Sequence, residues 1–314
     1  MKKIAFVFPG QGSQTVGMGK ELYERFAAAR AVFDAADEAL GFSITQMCFN
    51  GPEEELRKTV NTQPAILTVS IAIYEVLKEQ GLEPSIVAGH SLGEYSALVA
   101  AGAIAFRDAV QLVRKRGLFM QEAVPLGEGS MAAILGSERQ LVIDVCQKAQ
   151  ADFGAVQAVN FNCPGQVVIA GKTQAVEKAV EMVKAAGAKR AVILPVSAPF
   201  HSTLMKPAAE KLAVELNKIT IQDAVIPVVA NVSGQILTKG QDIEISLVKQ
   251  ADSPVKWEDC VAEILNYGVT AFIEVGPGRV LTGFTKKIAK EIDSLNVEDS
   301  SSLEKTLDYF KEVR

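Results

Sequence analysis

Short, continuous runs of apolar residues alternate with longer amphipathic stretches along this chain. The runs at 4–8 and 85–88 have the length and composition of strands that are buried on both faces of a sheet. Apolar residues at helical spacing predict helices at 18–40, 63–80, 91–101 and 107–124. Strands that alternate with helices in this way indicate an α/β fold with a parallel sheet.

The pattern changes in the middle of the chain. The order there becomes strand, helix, strand, strand, helix, strand, at 130–135, 138–149, 155–161, 166–171, 173–186 and 189–195. Asn162 to Gly165 is a turn signal between the two middle strands. This order is that of a ferredoxin-like split motif. We therefore predict a small subdomain at 128–196, inserted into a large discontinuous domain made of 1–127 and 197–314.

The α/β pattern resumes after the inserted segment. It predicts two further strands, at 226–230 and 270–275, together with helices at 202–217, 257–267 and 278–290. A polar segment at 296–302 precedes a last surface helix at 303–314.

Composition narrows the class of protein. The chain has 314 residues, of which 48% are hydrophobic and 22% charged, and this excludes a disordered or fibrous protein. A formal net charge of −5 makes general nucleic-acid binding or binding to an anionic membrane a poor expectation. The apolar run at 4–8 is too short for a secretory signal, and the stretch at 65–77 is broken by polar residues, so we expect a buried helix there.

Cysteine and histidine usage points to a reduced protein without a metal. The 4 cysteines form no C-x-x-C pair, so that we expect buried, reduced thiols and a cytoplasmic location. The 2 histidines, His90 and His201, are too few for a histidine-rich metal site.

The strongest chemical signal is Gly89-His90-Ser91-Leu92-Gly93, a G-x-S-x-G sequence between a predicted strand and a predicted helix. In that context the serine lies on a sharp turn, with its Oγ projecting at the helix N-terminus. The amide of Leu92 and the helix dipole then face a developing oxyanion. The alternative is a glycine-rich turn in which Ser91 only caps the helix.

A serine nucleophile needs a base, and the two histidines are the candidates. His90 is adjacent to Ser91, where neighbouring side chains diverge, so it is expected to pack behind the turn. His201 follows a predicted strand and becomes the base by elimination, although a capping or surface role is an alternative. An ordinary histidine titrates near pH 6.5, and we expect His201 to set an acidic limb of the rate there.

No aspartate is marked out to complete a triad. A Ser–His dyad oriented by a backbone group suits a thioester substrate, because a thiolate leaves readily.

Two further residues are candidates for substrate contacts. Gln11, in the glycine-rich loop after the first strand, can supply the second oxyanion amide, or it lies in an ordinary Pro-Gly turn. Arg116 lies near the apolar face of its helix and needs a partner there. A substrate carboxylate would serve, whereas a snorkelling arginine or an internal salt bridge is the alternative.

The joint set of motifs resembles the malonyl-CoA:acyl carrier protein transacylases, the stand-alone bacterial enzymes of type II fatty-acid synthesis. The similarity extends to about residue 290. Its motifs, in order, are Phe8 to Gln14, Asn61 to Ala65, Gly89 to Tyr95, Arg116-Gly117, Asn160 to Gly165, Pro199 to Ser202, Val248 to Gln250 with Ser253 to Trp257, and Glu274 to Gly278.

The resemblance implies an α/β-hydrolase-like large domain with a parallel sheet plus a ferredoxin-like small subdomain. It also implies a ping-pong transfer of malonyl from malonyl-CoA, through a malonyl-serine, to the phosphopantetheine thiol of acyl carrier protein. No cofactor is expected, since CoA and phosphopantetheine act as substrate carriers. We expect a monomer that acts on these partners and binds neither nucleic acid nor membrane.

The resemblance also implies the roles of individual residues. Ser91 is the nucleophile, His201 the base, and Arg116 the ligand of the malonyl carboxylate. The amides of Gln11 and Leu92 form the oxyanion hole, and Gln250 lies near the histidine, whose orientation comes from a backbone carbonyl.

Specificity and local packing follow from the same comparison. With Leu92 and Phe200 at these two positions, the sequence resembles the family members that use malonyl groups. Both side chains would crowd an α-methyl group. Ala251-Asp252 departs from the bulky residue that the family often has after the position of Gln250.

Two other functions remain compatible with parts of the sequence. A serine esterase or thioesterase shares the serine turn but has no need of Arg116, and a non-catalytic carrier-protein-binding module would not need Ser91. For carrier docking, the basic pairs Lys189 and Arg190, and Lys286 and Lys287, are the candidate patches for an acidic partner.

Overall fold

The computed structural model describes residues 3–196 and 198–312. Its strands are β1 (Ile4–Phe8), β2 (Ile86–Gly89), β3 (Gly129–Leu135), β4 (Val156–Cys163), β5 (Gln166–Lys172), β6 (Arg190–Ile193), β7 (Val228–Val229), β8 (Ile236–Leu237), β9 (Ala271–Val275) and β10 (Asp293–Val297). Its first helices are α1 (Lys20–Arg25), α2 (Ala27–Leu40), α3 (Ile44–Asn50), α4 (Glu53–Leu56), α5 (Thr59–Glu79), α6 (Leu92–Ala100) and α7 (Phe106–Glu122). The others are α8 (Arg139–Phe153), α9 (Thr173–Ala185), α10 (Lys206–Leu216), α11 (Gly240–Gln250), α12 (Trp257–Asn266), α13 (Val280–Ile288) and α14 (Ser300–Glu312), with a 3₁₀ turn at Thr203–Met205.

The larger sheet has the strand order β10-β9-β1-β2-β7-β8 and is parallel except for the edge strand β8. Side chains of β1 alternate between its two faces: Phe6 and Phe8 join the core with α2, α5 and α6, whereas Ala5 and Val7 join the core with α12 and α13. Burial on both faces explains why the strand is a continuous apolar run. The register pairs Phe8 with Gly89, so the loops that follow β1 and β2 lie side by side.

The smaller sheet is antiparallel, with the order β4-β5-β3-β6. Helices α8 and α9 cover one face, which confirms the predicted ferredoxin-like arrangement. The other face, including Met131, packs against Phe200 and Met205. Backbone hydrogen bonds join the two sheets' regions, since Val255 donates to Val159 and accepts from Phe161. The domain boundaries at 127/128 and 196/197 stay a prediction.

The structure confirms the predicted α/β class and corrects several elements. The single helix predicted at 18–40 is interrupted at Phe26, whose backbone is extended (φ −120°, ψ 126°). The helix predicted at 202–217 begins only at Lys206, after a 3₁₀ turn, because Pro207 restricts the first turn of the helix. One extended residue does not disturb the spacing of apolar residues along the chain, and this is why the break at Phe26 was missed.

Several helices and strands differ from the prediction, and α4 and β8 are among those that were missed. Strand β7 is only Val228–Val229, and the segment treated as a polar tail begins with the end of β10. Strand β10 is an edge strand with mostly half-buried residues, so it lacks the apolar run of a central strand. Helices α3 and α11 are short and were missed.

Helix α5 is long and apolar enough to cross a membrane when length and composition alone are considered. Its apolar window is 89% buried inside the protein, against the sheet and α7, so α5 is a core helix as the sequence indicated.

Candidate active site

The serine turn joins β2 to α6 as the G-x-S-x-G spacing predicted. Ser91 has φ 52°, a left-handed conformation that is strained for a residue other than glycine. A Cβ on Gly89 would overlap the backbone of Gly93, and one on Gly93 would overlap the carbonyl of Phe8. The two glycines therefore allow strand and helix to approach closely around the serine. The side chain of Ser91 makes no capping hydrogen bond to α6, so the interpretation of Ser91 as a simple helix cap is wrong.

His201 lies opposite the serine, with its Nε2 2.7 Å from Ser91 Oγ. Its Nδ1 is 2.9 Å from the backbone carbonyl oxygen of Gln250. A carbonyl can only accept, so Nδ1 carries the proton and Nε2 is left as the acceptor that faces the serine. His201 is buried and itself has φ 62°, which excludes the alternative of a surface histidine.

His90 points away from this pair. Its Nε2 lies 2.9 Å from Asn162 Oδ1, and its ring centroid is 5.6 Å from that of Trp257. Burial lowers the pKa of His90. These contacts agree with the predicted packing position behind the turn.

Arg116 is buried, with 2% of its surface exposed, and its guanidinium reaches the serine. Nη1 donates to Gln63 Oε1 at 2.8 Å, and Nη2 donates to Gln250 Oε1 at 3.0 Å and to Ser91 Oγ at 3.2 Å. Burial lowers the pKa of Arg116. Among the described residues no carboxylate lies within ion-pair distance of it, and its Nε has no hydrogen-bond acceptor. Neither the snorkelling nor the internal salt-bridge alternative is therefore found.

The electrostatic environment of His201 changes our expectation about the pH dependence of the rate. Burial, and next the positive charge of Arg116, lower the pKa of His201 from 6.5 to about 3. For a histidine in this environment we therefore no longer expect an acidic limb near pH 6.5. His201 is neutral, and able to accept a proton, throughout the physiological pH range.

Gln11 and Leu92 border the space in front of Ser91 Oγ. The loop after β1 packs tightly on the serine turn, since a Cβ on Gly10 would overlap the carbonyl of His90. No acceptor in the described part of the chain takes a hydrogen bond from the backbone amides of Gln11 or Leu92. Both amides are thus available donors, and the Gln11 side chain is held by a 3.2 Å hydrogen bond to Thr59 Oγ1.

A cavity of about 110 Å³ opens onto these groups. It is lined by the site residues together with Gln63, His90, Met120, Met131, Asn160, Leu194, Val196 and Phe200. A neighbouring cavity of about 230 Å³ shares Gln11, His90, Asn160 and Leu194 with it and extends to α13. A larger cavity of about 810 Å³ lies between α10 and the smaller sheet and contains neither Ser91 nor His201, so its size does not mark it as the reaction site.

Three polar residues of the site had no role assigned from the sequence. Asn231 accepts from the Ser91 amide through Oδ1 and donates through Nδ2 to the Gly89 carbonyl, both at 2.7 Å. Glu94 is buried, and desolvation raises its pKa to about 7. Gln63 and Glu94 lie within the sequence motifs named above. Asn231 lies in a loop after β7, where asparagine is a common residue, so nothing in the sequence marked it as part of the site.

Two smaller expectations can also be compared with the structure. Phe200 is 8% exposed and lines the cavity. Ala251, the small residue after Gln250, is completely buried, so the departure from the family pattern leaves a packed position there. Among the described residues no group of three His, Cys, Asp or Glu side chains could hold a metal ion.

A serine on a strained turn at the end of a parallel strand, paired with a neutral histidine, is the arrangement of covalent acyl chemistry. The α/β fold and this site define a serine-dependent acyl-transfer enzyme. Comparison with known proteins gives the particular family: residues 5–306 match the acyl transferase domain, and the chain belongs to that family.

Relatives and solved structures agree over nearly the whole chain. The chain is 53% identical over 312 residues to the malonyl CoA-acyl carrier protein transacylase of Bacillus subtilis (strain 168), which covers 99% of this chain and 98% of the relative. The malonyl CoA-acyl carrier protein transacylase structure from Clostridium perfringens has a TM-score of 0.96 at 47% identity, covering 99% and 98% of the two chains. A malonyl-transacylase in complex with a type II PKS acyl-carrier protein has a TM-score of 0.95 at 48% identity, covering 98% and 99%.

Proposed function

We propose that this enzyme transfers a malonyl group from malonyl-CoA to the phosphopantetheine thiol of an acyl carrier protein, through a malonyl ester on Ser91. The proposal rests on the names of the relatives together with one observation of the site. The buried guanidinium of Arg116, which has no carboxylate within ion-pair distance in the described part of the chain, lies 3.2 Å from the proposed nucleophile.

The position of Arg116 favours an acyl group that ends in a carboxylate. The malonyl carboxylate is separated from the ester oxygen only by a carbonyl and a methylene group. A guanidinium nitrogen that already contacts Ser91 Oγ is therefore within reach of it. A carboxylate in the cavity would give the buried cation a direct ion-pair partner and accept the directional hydrogen bonds of a guanidinium. An esterase or thioesterase for neutral acyl groups has no use for such a cation.

Acylation begins with proton transfer from Ser91 Oγ to His201 Nε2, which are 2.7 Å apart. The oxygen attacks the thioester carbonyl, and the amides of Gln11 and Leu92 donate to the oxyanion that develops. The carbon–sulfur bond then breaks, CoA leaves as the thiol after receiving the proton from His201, and malonyl remains esterified to Ser91.

The second half-reaction reverses these roles. The carrier's thiol gives its proton to His201 and attacks the ester carbonyl, and Ser91 Oγ recovers the proton as the ester bond breaks. The cavity beside α13 suits the pantetheine arm in both steps, since it opens directly on the serine cavity and includes Asn160, whose Oδ1 is a buried acceptor without a partner among the described residues. Leu92 and Phe200 narrow the cavity for acyl groups with an α-methyl branch.

The remaining features of the proposal concern partners and conditions. The scheme needs neither a metal nor an organic cofactor, because thiolates leave without Lewis-acid assistance. We propose that the enzyme acts as a monomer in the cytoplasm, and that it binds neither nucleic acid nor membrane.

For carrier docking we propose the exposed basic residues near the entrance. Lys286 and Lys287 lie in the last turn of α13, whose Val280 and Phe284 line the neighbouring cavity. Lys189 and Arg190 lie at the start of β6. Reversing the charge of both pairs should raise the KM for carrier protein and weaken its salt dependence. The control is reversal of Lys305 and Lys311 on α14, a helix that lines neither cavity, and an unchanged KM in the first variant would rule this surface out.

The test of the function is intact-protein mass spectrometry. Malonyl-CoA alone should add one malonyl group to the protein, and holo carrier protein should then remove it and gain the same mass. Ser91→Ala should abolish the adduct, whereas Ser96→Ala, a buried serine of the same helix, should not. An adduct that is released to water as fast as to the carrier would favour a thioesterase, and no adduct would favour a binding module.

A further inference from the structure

One buried residue, Gln250, contacts Ser91, His201 and Arg116 through its side chain and its backbone. Its backbone carbonyl accepts from His201 Nδ1 at 2.9 Å. Its Oε1 accepts from Arg116 Nη2 at 3.0 Å, and its Nε2 donates to the carbonyl oxygen of Ser91 at 3.0 Å. The side-chain amide of Gln250 therefore joins the carboxylate ligand to the nucleophile's backbone, while the backbone of the same residue orients the base.

Asn231 holds the same turn from the other side. Its side chain bridges the Ser91 amide and the Gly89 carbonyl, one hydrogen bond to each. The left-handed conformation of Ser91 costs free energy and persists only when surrounding groups over-determine it. Asn231 and Gln250 are the two polar side chains that supply those contacts.

Both residues meet at a single oxygen atom of Glu94. Its Oε2 accepts from Gln250 Nε2 at 2.7 Å and from the backbone amide of Asn231 at 3.1 Å. Glu94 lies in the first turn of α6, its own amide donates to the Ser91 carbonyl at 3.1 Å, and only 2% of it is exposed. It does not line the cavity in front of the serine.

We propose that Glu94 is a positioning residue whose carboxyl oxygen holds Gln250 and Asn231 in the orientation that aligns Ser91, His201 and Arg116. The inference rests on the proposed function only in taking Ser91 as the nucleophile and His201 as its base. This role requires an acceptor oxygen at the distance from the backbone that a glutamate side chain gives, because the donors from Gln250 and Asn231 both bind that one atom. Removing it leaves two buried N–H groups without an acceptor and frees the Gln250 amide to rotate.

Two conservative variants separate the position of the acceptor from its charge. Glu94→Gln keeps a carbonyl oxygen at the same distance from the backbone and loses the charge. Glu94→Asp keeps the charge and withdraws the oxygen by one methylene group. The first should retain the alignment and the second should lose it.

The experiment measures labelling of Ser91 by a fluorophosphonate, followed by intact mass. In this reaction Ser91 Oγ bonds to phosphorus, the phosphorus–fluorine bond breaks, and His201 takes the serine proton as fluoride leaves. The rate constant is taken from the time course of labelling, normalised to the fraction of protein that can be labelled. A loss of folded protein therefore does not change it. We expect Glu94→Asp and Glu94→Ala to lower it by about 10²-fold, as a misplaced reacting group does, and Glu94→Gln by less than about 10-fold.

A matched control and a double-mutant cycle complete the test. Glu274 is also a completely buried carboxyl that accepts two backbone amides, from Leu281 at 3.0 Å and Thr282 at 2.7 Å, and Glu274→Asp should lower the melting temperature without changing the labelling rate constant. In a Gln250→Ala background, Glu94→Asp should lower the labelling rate constant far less than it does in the wild type, because the Gln250 side chain through which Glu94 acts is already absent.

Three results would overturn the inference: wild-type labelling in Glu94→Ala, a greater loss in Glu94→Gln than in Glu94→Asp, or fully additive losses in the cycle. Because the fluorophosphonate carries no carboxylate, these outcomes do not depend on malonyl as the substrate. A failure of the wild-type enzyme to accept malonyl-CoA would contradict the proposed function and leave the labelling comparison valid.

Discussion

Removal of the Arg116 side chain should change which acyl group the enzyme accepts. In Arg116→Ala the malonyl carboxylate would enter a buried site without its cation. Since Arg116 is only 2% exposed, water cannot replace the guanidinium, and the loss should be that of breaking a buried pair, about 3–5 kcal/mol. At 1.4 kcal/mol per tenfold this is roughly a 100- to 4,000-fold fall in kcat/KM for malonyl-CoA.

Acetyl-CoA provides the internal comparison, because it lacks the carboxylate. The substitution also removes the donors to Gln63 and Gln250, which lowers the activity toward both substrates. The ratio of the two kcat/KM values cancels that shared loss. We expect the malonyl preference to fall by at least about 100-fold. Acetyl-CoA should lose only the shared part, partly offset because a cation that it cannot pair no longer lies in the cavity.

The assay is the rate of CoA release at limiting thioester, for both substrates, in wild type and three variants. Arg116→Lys should restore the preference only in part, because an ammonium cannot make the two-pronged contact. Arg114→Ala is the control on the same helix, where the guanidinium stacks on Phe42 at 4.2 Å rather than facing the cavity. Equal losses for malonyl- and acetyl-CoA in Arg116→Ala would show that Arg116 is structural and refute the argument.

The remaining predictions concern the base and the serine turn. With the pKa of His201 near 3, kcat/KM for acylation should show no acidic limb near pH 6.5, and such a limb that persists in Glu94→Gln would contradict the depressed pKa. Between pH 6.5 and about 3, His201 binds a proton in the unfolded chain but not in the native one. The free energy of unfolding, measured by denaturant titration, should therefore fall by about 1.4 kcal/mol for each pH unit lost in this range. His201→Ala should slow acylation at least about 10²-fold, whereas His90→Ala should mainly lower the melting temperature, and the reverse order would exchange their roles. Gly93→Ala should destabilise the protein strongly, because the added Cβ overlaps the Phe8 carbonyl, while Gly283→Ala, with open space around its Cβ, should stabilise α13 by about 0.5–1 kcal/mol in thermal unfolding.

Local information was enough for much of this protein. The apolar runs at 4–8 and 85–88 predicted two buried strands, because burial on both faces demands such runs. The G-x-S-x-G spacing predicted the serine turn, since only glycines fit where strand and helix approach. The order of elements in the middle of the chain was sufficient for the ferredoxin-like sheet. These features depend on residues close together in the sequence.

Only the tertiary structure decided how the site works. Ser91 and His201 are 110 residues apart, and Gln250 lies 159 residues from the serine whose carbonyl it binds. No local pattern reports the burial that lowers the pKa of His201, nor that Arg116 has no carboxylate within ion-pair distance among the described residues. Spacing alone favoured a snorkelling arginine or an internal salt bridge over a substrate ligand for that arginine. Partners, desolvation and orientation are properties of side chains brought together by folding, and for this reason the chemistry of the site had to be taken from the structure.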